Sequence, residues 1–90
     1  MSQPSLDSIL DALARERQRA TYSAVAAVVG SAPRSVMSGR PRDPHNSWVV
    51  SSQTGQPTGY PPDQVAPELM ARPEVLRTRD ELLAWLGTVQ

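Results

Sequence analysis

Beginning at Thr21 the chain reads TYSAVAAVVG, and Pro33 follows three residues after Gly30. No element can run straight through this stretch, and the rest of the chain has to be arranged around the corner it makes. A small apolar run opened by Thr21 and closed by a glycine predicts a short buried helix from Tyr22 to about Val29. Ser31 can cap a further helix ending at Gly39, with Pro33 in its first turn, where a missing N–H costs nothing. Val36 and Met37 then face inward, and Arg34, Ser35 and Ser38 face outward. Two short helices meeting at a Gly-Ser corner match the helix-turn-helix pattern.

Upstream, Ser5 precedes Leu6, Ile9, Leu10 and Leu13, the spacing of one apolar helix face. The first helix is expected from Leu6 to Gln18, with Asp7 near its positive end and Arg15, Arg17 and Arg19 near its negative end. Downstream, Pro41 and Pro44 make residues 40–46 an irregular loop. Ser47 to Val50 reads as a strand, 53–56 as a turn, and Pro57 to Tyr60 as a returning edge strand. Pro67 to Arg72 is read as a helical turn. Thr78 with Glu81 forms a capping box, and Leu82, Leu83, Trp85 and Leu86 make the apolar face of a last helix that Gly87 ends. The expected fold is a single α+β domain over 1–90, a winged helix-turn-helix. It has three N-terminal helices (helix-turn-helix about 21–39), a short β-hairpin wing (about 47–60) and a C-terminal helix (about 79–86).

Ninety residues bury only about 60% of their unfolded surface. With 39% hydrophobic residues and no Phe, the core must rest on Leu, Val, Ala and two Trp. The absence of Cys excludes disulfides, thiolate metal sites and a cysteine nucleophile. No apolar run approaches a membrane span and no signal pattern opens the chain, so a cytoplasmic protein without membrane contact is expected. The net charge is zero but unevenly spread: Glu16 is the one acid among six arginines between Arg15 and Arg42, whereas the segment from Asp43 onward is acidic. A basic stripe on a neutral protein is an anion-binding footprint.

Catalytic signals are poor. His45 has no carboxylate partner at motif spacing, and Asp80-Glu81 fall in a first helical turn, where the dipole explains them. Gly55 and Gly59 lack the Lys and the following helix of a phosphate-binding loop. No enzyme activity, cofactor or metal is expected. Nucleic-acid binding finds more support. Thr21 and Ser31 stand at expected helix N-termini, Arg34 projects from the presumed recognition helix, and Arg40 and Arg42 flank it.

These residues also carry a family pattern. Thr21-Tyr22 opens a helix as in a "TYG.(IV)A...G" segment, and Arg34-Ser35-Val36 is similar to an "ARAVG" recognition helix. Pro44 matches an "NP" corner, Val49-Val50 the end of a Pro-Cys-His-Arg-Val-Val run, and Gly55 and Tyr60 a "G...G.Y" pattern. Thr21 to Tyr60 thus resembles the C-terminal, DNA-binding domain of the alkylguanine-DNA alkyltransferases and their cysteine-less alkyltransferase-like relatives. The resemblance implies that Tyr22 presses on a nucleotide's 3′ phosphate and that Arg34 enters the minor groove. Asn46 falls where the reactive cysteine belongs and Ser47-Trp48 where His-Arg belongs, and the chain is shorter between Pro44 and Val49. The chain is therefore read as a non-catalytic binder of double-stranded DNA through Thr21, Tyr22, Ser31, Arg34, Ser35, Arg40 and Arg42, with Asn46, Ser47 and Trp48 a degenerate active-site position. One alternative is an alkylated-base sensor that flags damage for repair. Another is a protein-interaction module serving a repair or regulatory partner.

Overall fold

Three short strands, all parallel, stand at the centre of the protein. A computed structural model describes residues 5–40, 42–65 and 74–89. The order is α1 (Leu6–Glu16), β1 (Arg19–Thr21), α2 (Tyr22–Val29), a 3₁₀ turn (Pro44–Asn46), β2 (Val49–Val50), a second 3₁₀ turn (Pro62–Gln64), β3 (Val75–Leu76) and α3 (Arg79–Val89). β1 is central, with β2 on one side and β3 on the other. Ala20 pairs with Val49 and Leu76, Thr21 with Val50, and Arg19 with Val75.

The helix ends follow local chemistry. The Ser5 hydroxyl accepts the Ser8 N–H at 3.2 Å, and the Thr21 hydroxyl accepts the Ala24 N–H at 3.1 Å. α1 stops at Glu16 rather than Gln18, because Arg17 adopts a left-handed conformation (φ 54°) and its N–H returns to the Leu13 carbonyl. That bend feeds the chain directly into β1. Gly30 does the same for α2 at φ 76°, and the Ser31 N–H also closes on Ala26 at 2.9 Å. For α3, the Glu81 N–H donates to the Thr78 hydroxyl and the Thr78 N–H to the Glu81 carboxylate, both at 3.1 Å, so the capping box forms. The helix then runs on through Gly87 to Val89.

Ile9, Leu10 and Leu13 of α1, Val25 and Val28 of α2, Val49 and Val50 of β2, and Leu82 and Leu86 of α3 make one core, joined by Trp48. α2 packs against α3, and the Pro44–Asn46 turn rests on α1.

Two parts of the expected winged helix-turn-helix are overturned. The third N-terminal helix does not form: residues 33–39 are successive turns. Their bonds span three residues, from Ser35 N–H to Ala32, Ser38 N–H to Ser35 and Arg40 N–H to Met37. The Ser35 side chain also donates to the Ala32 carbonyl, so it competes with helical bonding. Val36 is the only buried side chain from 31 to 39, too little apolar area to offset helix nucleation. The wing is not a hairpin either. Val49-Val50 has its ladder with β1, and residues 51–59 form a looped segment closed by Ser51 N–H to Gln56 (2.9 Å) and Gly55 N–H to Ser51 (2.8 Å). Buried valines gained more by joining a central strand than by pairing with a Pro-containing edge. The expected turn at 67–72 lies outside the described residues.

Candidate nucleic-acid interface

The loop 51–59 has no ladder of its own, so side chains hold it. The Arg19 guanidinium, 6% exposed as a residue, donates to the Gly55 carbonyl at 2.9 Å, and Arg77 donates to Ser52 at 3.1 Å. On the third side the Thr58 N–H donates to the Tyr22 hydroxyl at 2.8 Å. Tyr22 is the first residue of α2, so this last bond places the loop across the start of that helix.

Between them lies an open cleft of about 620 Å³, lined by Tyr22, Pro33, Arg34, Met37, Arg42 and Thr58. Pro33 and Met37 give it an apolar side. Arg34 and Arg42 are exposed and have no ion-pair partner among the described residues. Arg42 lies over Gly59, where an added Cβ would stand 3.3 Å from its Nε. Because the Tyr22 oxygen accepts from Thr58, its own hydrogen remains to donate. Two guanidinium groups and a phenolic O–H around one opening suit an oxyanion, since guanidinium hydrogen bonds to phosphate are both charge-assisted and planar.

Adjoining the cleft, and sharing Tyr22, Met37, Arg42 and Thr58 with it, a chamber of about 60 Å³ is bounded also by Asn46, Tyr60 and Arg40. It has room for water but falls far below the usual size of a ligand pocket. The Tyr60 hydroxyl is pushed up to about 12, first by burial, then by the Asp43 carboxylate and Tyr22. Arg42 and the Asp43 amide pull weakly the other way.

Of the residues expected to contact DNA, Tyr22, Arg34 and Arg42 come together at the cleft. Arg40 lines the smaller chamber instead and carries an ion pair with Asp7. Thr21 does not belong to the surface. It is 1% exposed, caps α2 and donates to the Arg77 carbonyl at 3.4 Å. Ser31 is exposed but begins no helix, and Ser35 turns its hydroxyl to Ala32, 3.3 Å away.

The degenerate position splits up as well. Asn46 lines the chamber, while its N–H donates to the Asp43 carboxylate at 3.1 Å. Ser47 is fully buried and donates to the Pro44 carbonyl at 2.7 Å, and Trp48 (4% exposed) is a core residue. Arg19 leaves the basic stripe altogether.

The chain matches no known protein family, no characterised protein and no solved structure. Any functional reading must therefore rest on the side chains themselves.

His45 does have a carboxylate partner, Asp11, with Nε2 2.9 Å from Oδ1. The two are 34 residues apart in sequence, so no motif spacing reveals them. The pair is exposed and ties the 40–46 loop to α1. Among the described residues, no cluster of His, Asp and Glu is suited to a metal ion, and no helix is long and apolar enough to cross a membrane. Sequence reasoning missed Met37 and Thr58. Thr58 carries the only signal available, its place two residues before Tyr60 in the Thr-Gly-Tyr run.

Proposed function

We propose that this protein binds double-stranded DNA without catalysing a reaction on it, holding the phosphate backbone at the Tyr22, Arg34 and Arg42 cleft. The observation that carries the reading is the pair of exposed arginines, neither neutralised by a described carboxylate, that line one cleft with the side chain of Tyr22 at the start of α2. Phosphate contacts of this kind hold a duplex in register and supply affinity that depends steeply on salt. The resemblance of Thr21 to Tyr60 to the alkyltransferases also gives Tyr22 to a phosphate; it gives Arg34 to a groove on a recognition helix that does not form here, so Arg34 is read from the cleft alone.

The test is a salt titration of binding to plain duplex DNA and to duplex carrying one alkylated guanine. A DNA binder of this type shows log affinity falling with log salt by about 0.9 per phosphate contacted. Equal affinity for the two duplexes fits backbone holding. Preference for the alkylated duplex favours damage sensing. No binding at low salt overturns the DNA reading and favours a protein-interaction role.

A further inference from the structure

The geometry points to an intramolecular competitor for polyanions: Asp7 on α1 occupies the Arg40 guanidinium, which lines the small chamber adjoining the cleft, and withholds that cation from an incoming phosphate. This inference rests on the phosphate-holding role of the cleft. Asp7 and Asp11 lie four residues apart and so on one face of α1. Each grips the same loop, Asp7 through Arg40 and Asp11 through His45. That loop also supplies Arg42 to the cleft and both Arg40 and Asn46 to the adjoining chamber. The acidic edge of α1 is therefore fastened to the segment that carries half of the cleft's positive charge.

The contrast among the three arginines is what gives the contact a consequence. Arg34 and Arg42 are exposed and have no carboxylate partner among the described residues, whereas the Arg40 side chain is only 33% exposed and carries Asp7, itself 74% exposed. A carboxylate exposed to that degree is held loosely, because water screens the pair. A phosphodiester, whose two anionic oxygens can likewise accept two hydrogen bonds from a guanidinium, can replace it. Arg40 is then a reserve cation, engaged only when the ligand's charge density outcompetes Asp7. Binding sees two arginines when ligand is weakly charged and three when it is strongly charged.

The experiment compares wild type, Asp7→Asn and Glu16→Gln in salt-titrated binding to plain duplex DNA. Both variants add one positive unit, but Glu16 pairs with Arg15 near the other end of α1, about 14 Å along the axis from Asp7. Competition requires Asp7→Asn to tighten binding about two- to five-fold at low salt and to steepen the log–log salt slope by about 0.9, with Glu16→Gln producing neither change. A second variant, Asp7→Asn with Arg40→Gln, must lose the gain. If wild type binds with a clear salt slope and Asp7→Asn leaves affinity and slope unchanged, the competitor is overturned while DNA binding stands. If Glu16→Gln matches Asp7→Asn, the effect is overall charge and the inference also fails. If no variant binds at low salt, both the inference and the DNA reading fall. Thermal unfolding of each variant establishes that the fold is retained.

Discussion

The Arg19 guanidinium and the Gly55 backbone fit against each other with no space between them. Arg19 Nη1 donates to the Gly55 carbonyl at 2.9 Å, and a Cβ added to Gly55 would lie 2.9 Å from that same nitrogen. Gly55 also stands at φ +71°, where other residues are strained. Gly55→Ala should therefore destabilise the protein by about 1–3 kcal/mol, the sum of left-handed strain and displacement of a buried guanidinium. Combining it with Arg19→Met should give less than the sum of the two single effects in a denaturant-unfolding cycle, because both disrupt one contact.

Arg34→Ala and Arg42→Ala should each weaken duplex binding by a factor equivalent to about 1–3 kcal/mol and lower the salt slope by about one. Thr21→Ser should leave binding unchanged, since that hydroxyl is buried beneath the site as a helix cap. Fluorescence anisotropy across a salt series separates the two outcomes.

Tyr60 predicts a stability loss in alkali. Its hydroxyl is raised from 10 to about 12 in the folded protein, so the fold favours the neutral phenol. Between those two values the unfolded chain releases the proton while the folded one keeps it. The unfolded state then binds fewer protons, and stability must fall as pH rises. Unfolding free energy should be flat with respect to this group below pH 10 and decline up to about pH 12. Tyr60→Phe should remove that part of the decline, as read by urea denaturation at several pH values.

The capping box offers a test at the far end of the chain. Thr78→Ala should cost about 1 kcal/mol in unfolding free energy, and Glu81→Gln less, because the amide oxygen still accepts from the Arg77 and Thr78 N–H groups. Both changes should appear as a lowered urea midpoint without a change in slope.

Several helix ends were told plainly by local signals. Ser5, Thr21, Gly30 and the Thr78–Glu81 box act within three or four positions, and each forms as its spacing implies. Tyr22, Arg34 and Arg42 do meet at one cleft, although the sequence puts Arg34 on a helix that does not form and Tyr22 is singled out by the family resemblance. Val49-Val50 lies within the strand expected at 47–50, but β1 and β3 were not legible. Arg19–Thr21 is three residues long, includes a buried arginine and shows no alternation, and its partners lie 29 and 56 positions downstream. The turns at 33–39 misled in the opposite direction. Their capping serine, early proline and terminal glycine mimic a helix, and only the lack of an inward face decides against one. Thr21 was misplaced because a cap hydroxyl looks the same in sequence whether solvent or β3 lies beyond it.

The position of β1 between β2 and β3 has a consequence for how the chain reaches its native state. The two helices it joins lie within the first third of the sequence, yet the sheet partners of their connecting strand are residues 48–50 and 75–76. An isolated fragment ending after α2 would leave that strand bare on both edges, with a valine-rich helix and no sheet beneath it. Assembly must therefore close loops of roughly thirty and fifty-five residues before the first helices gain their support. Such non-local pairing slows folding and makes it cooperative. The N-terminal helices and the strand they flank should melt together with α3 in one transition, so that no part of the cleft outlasts the rest.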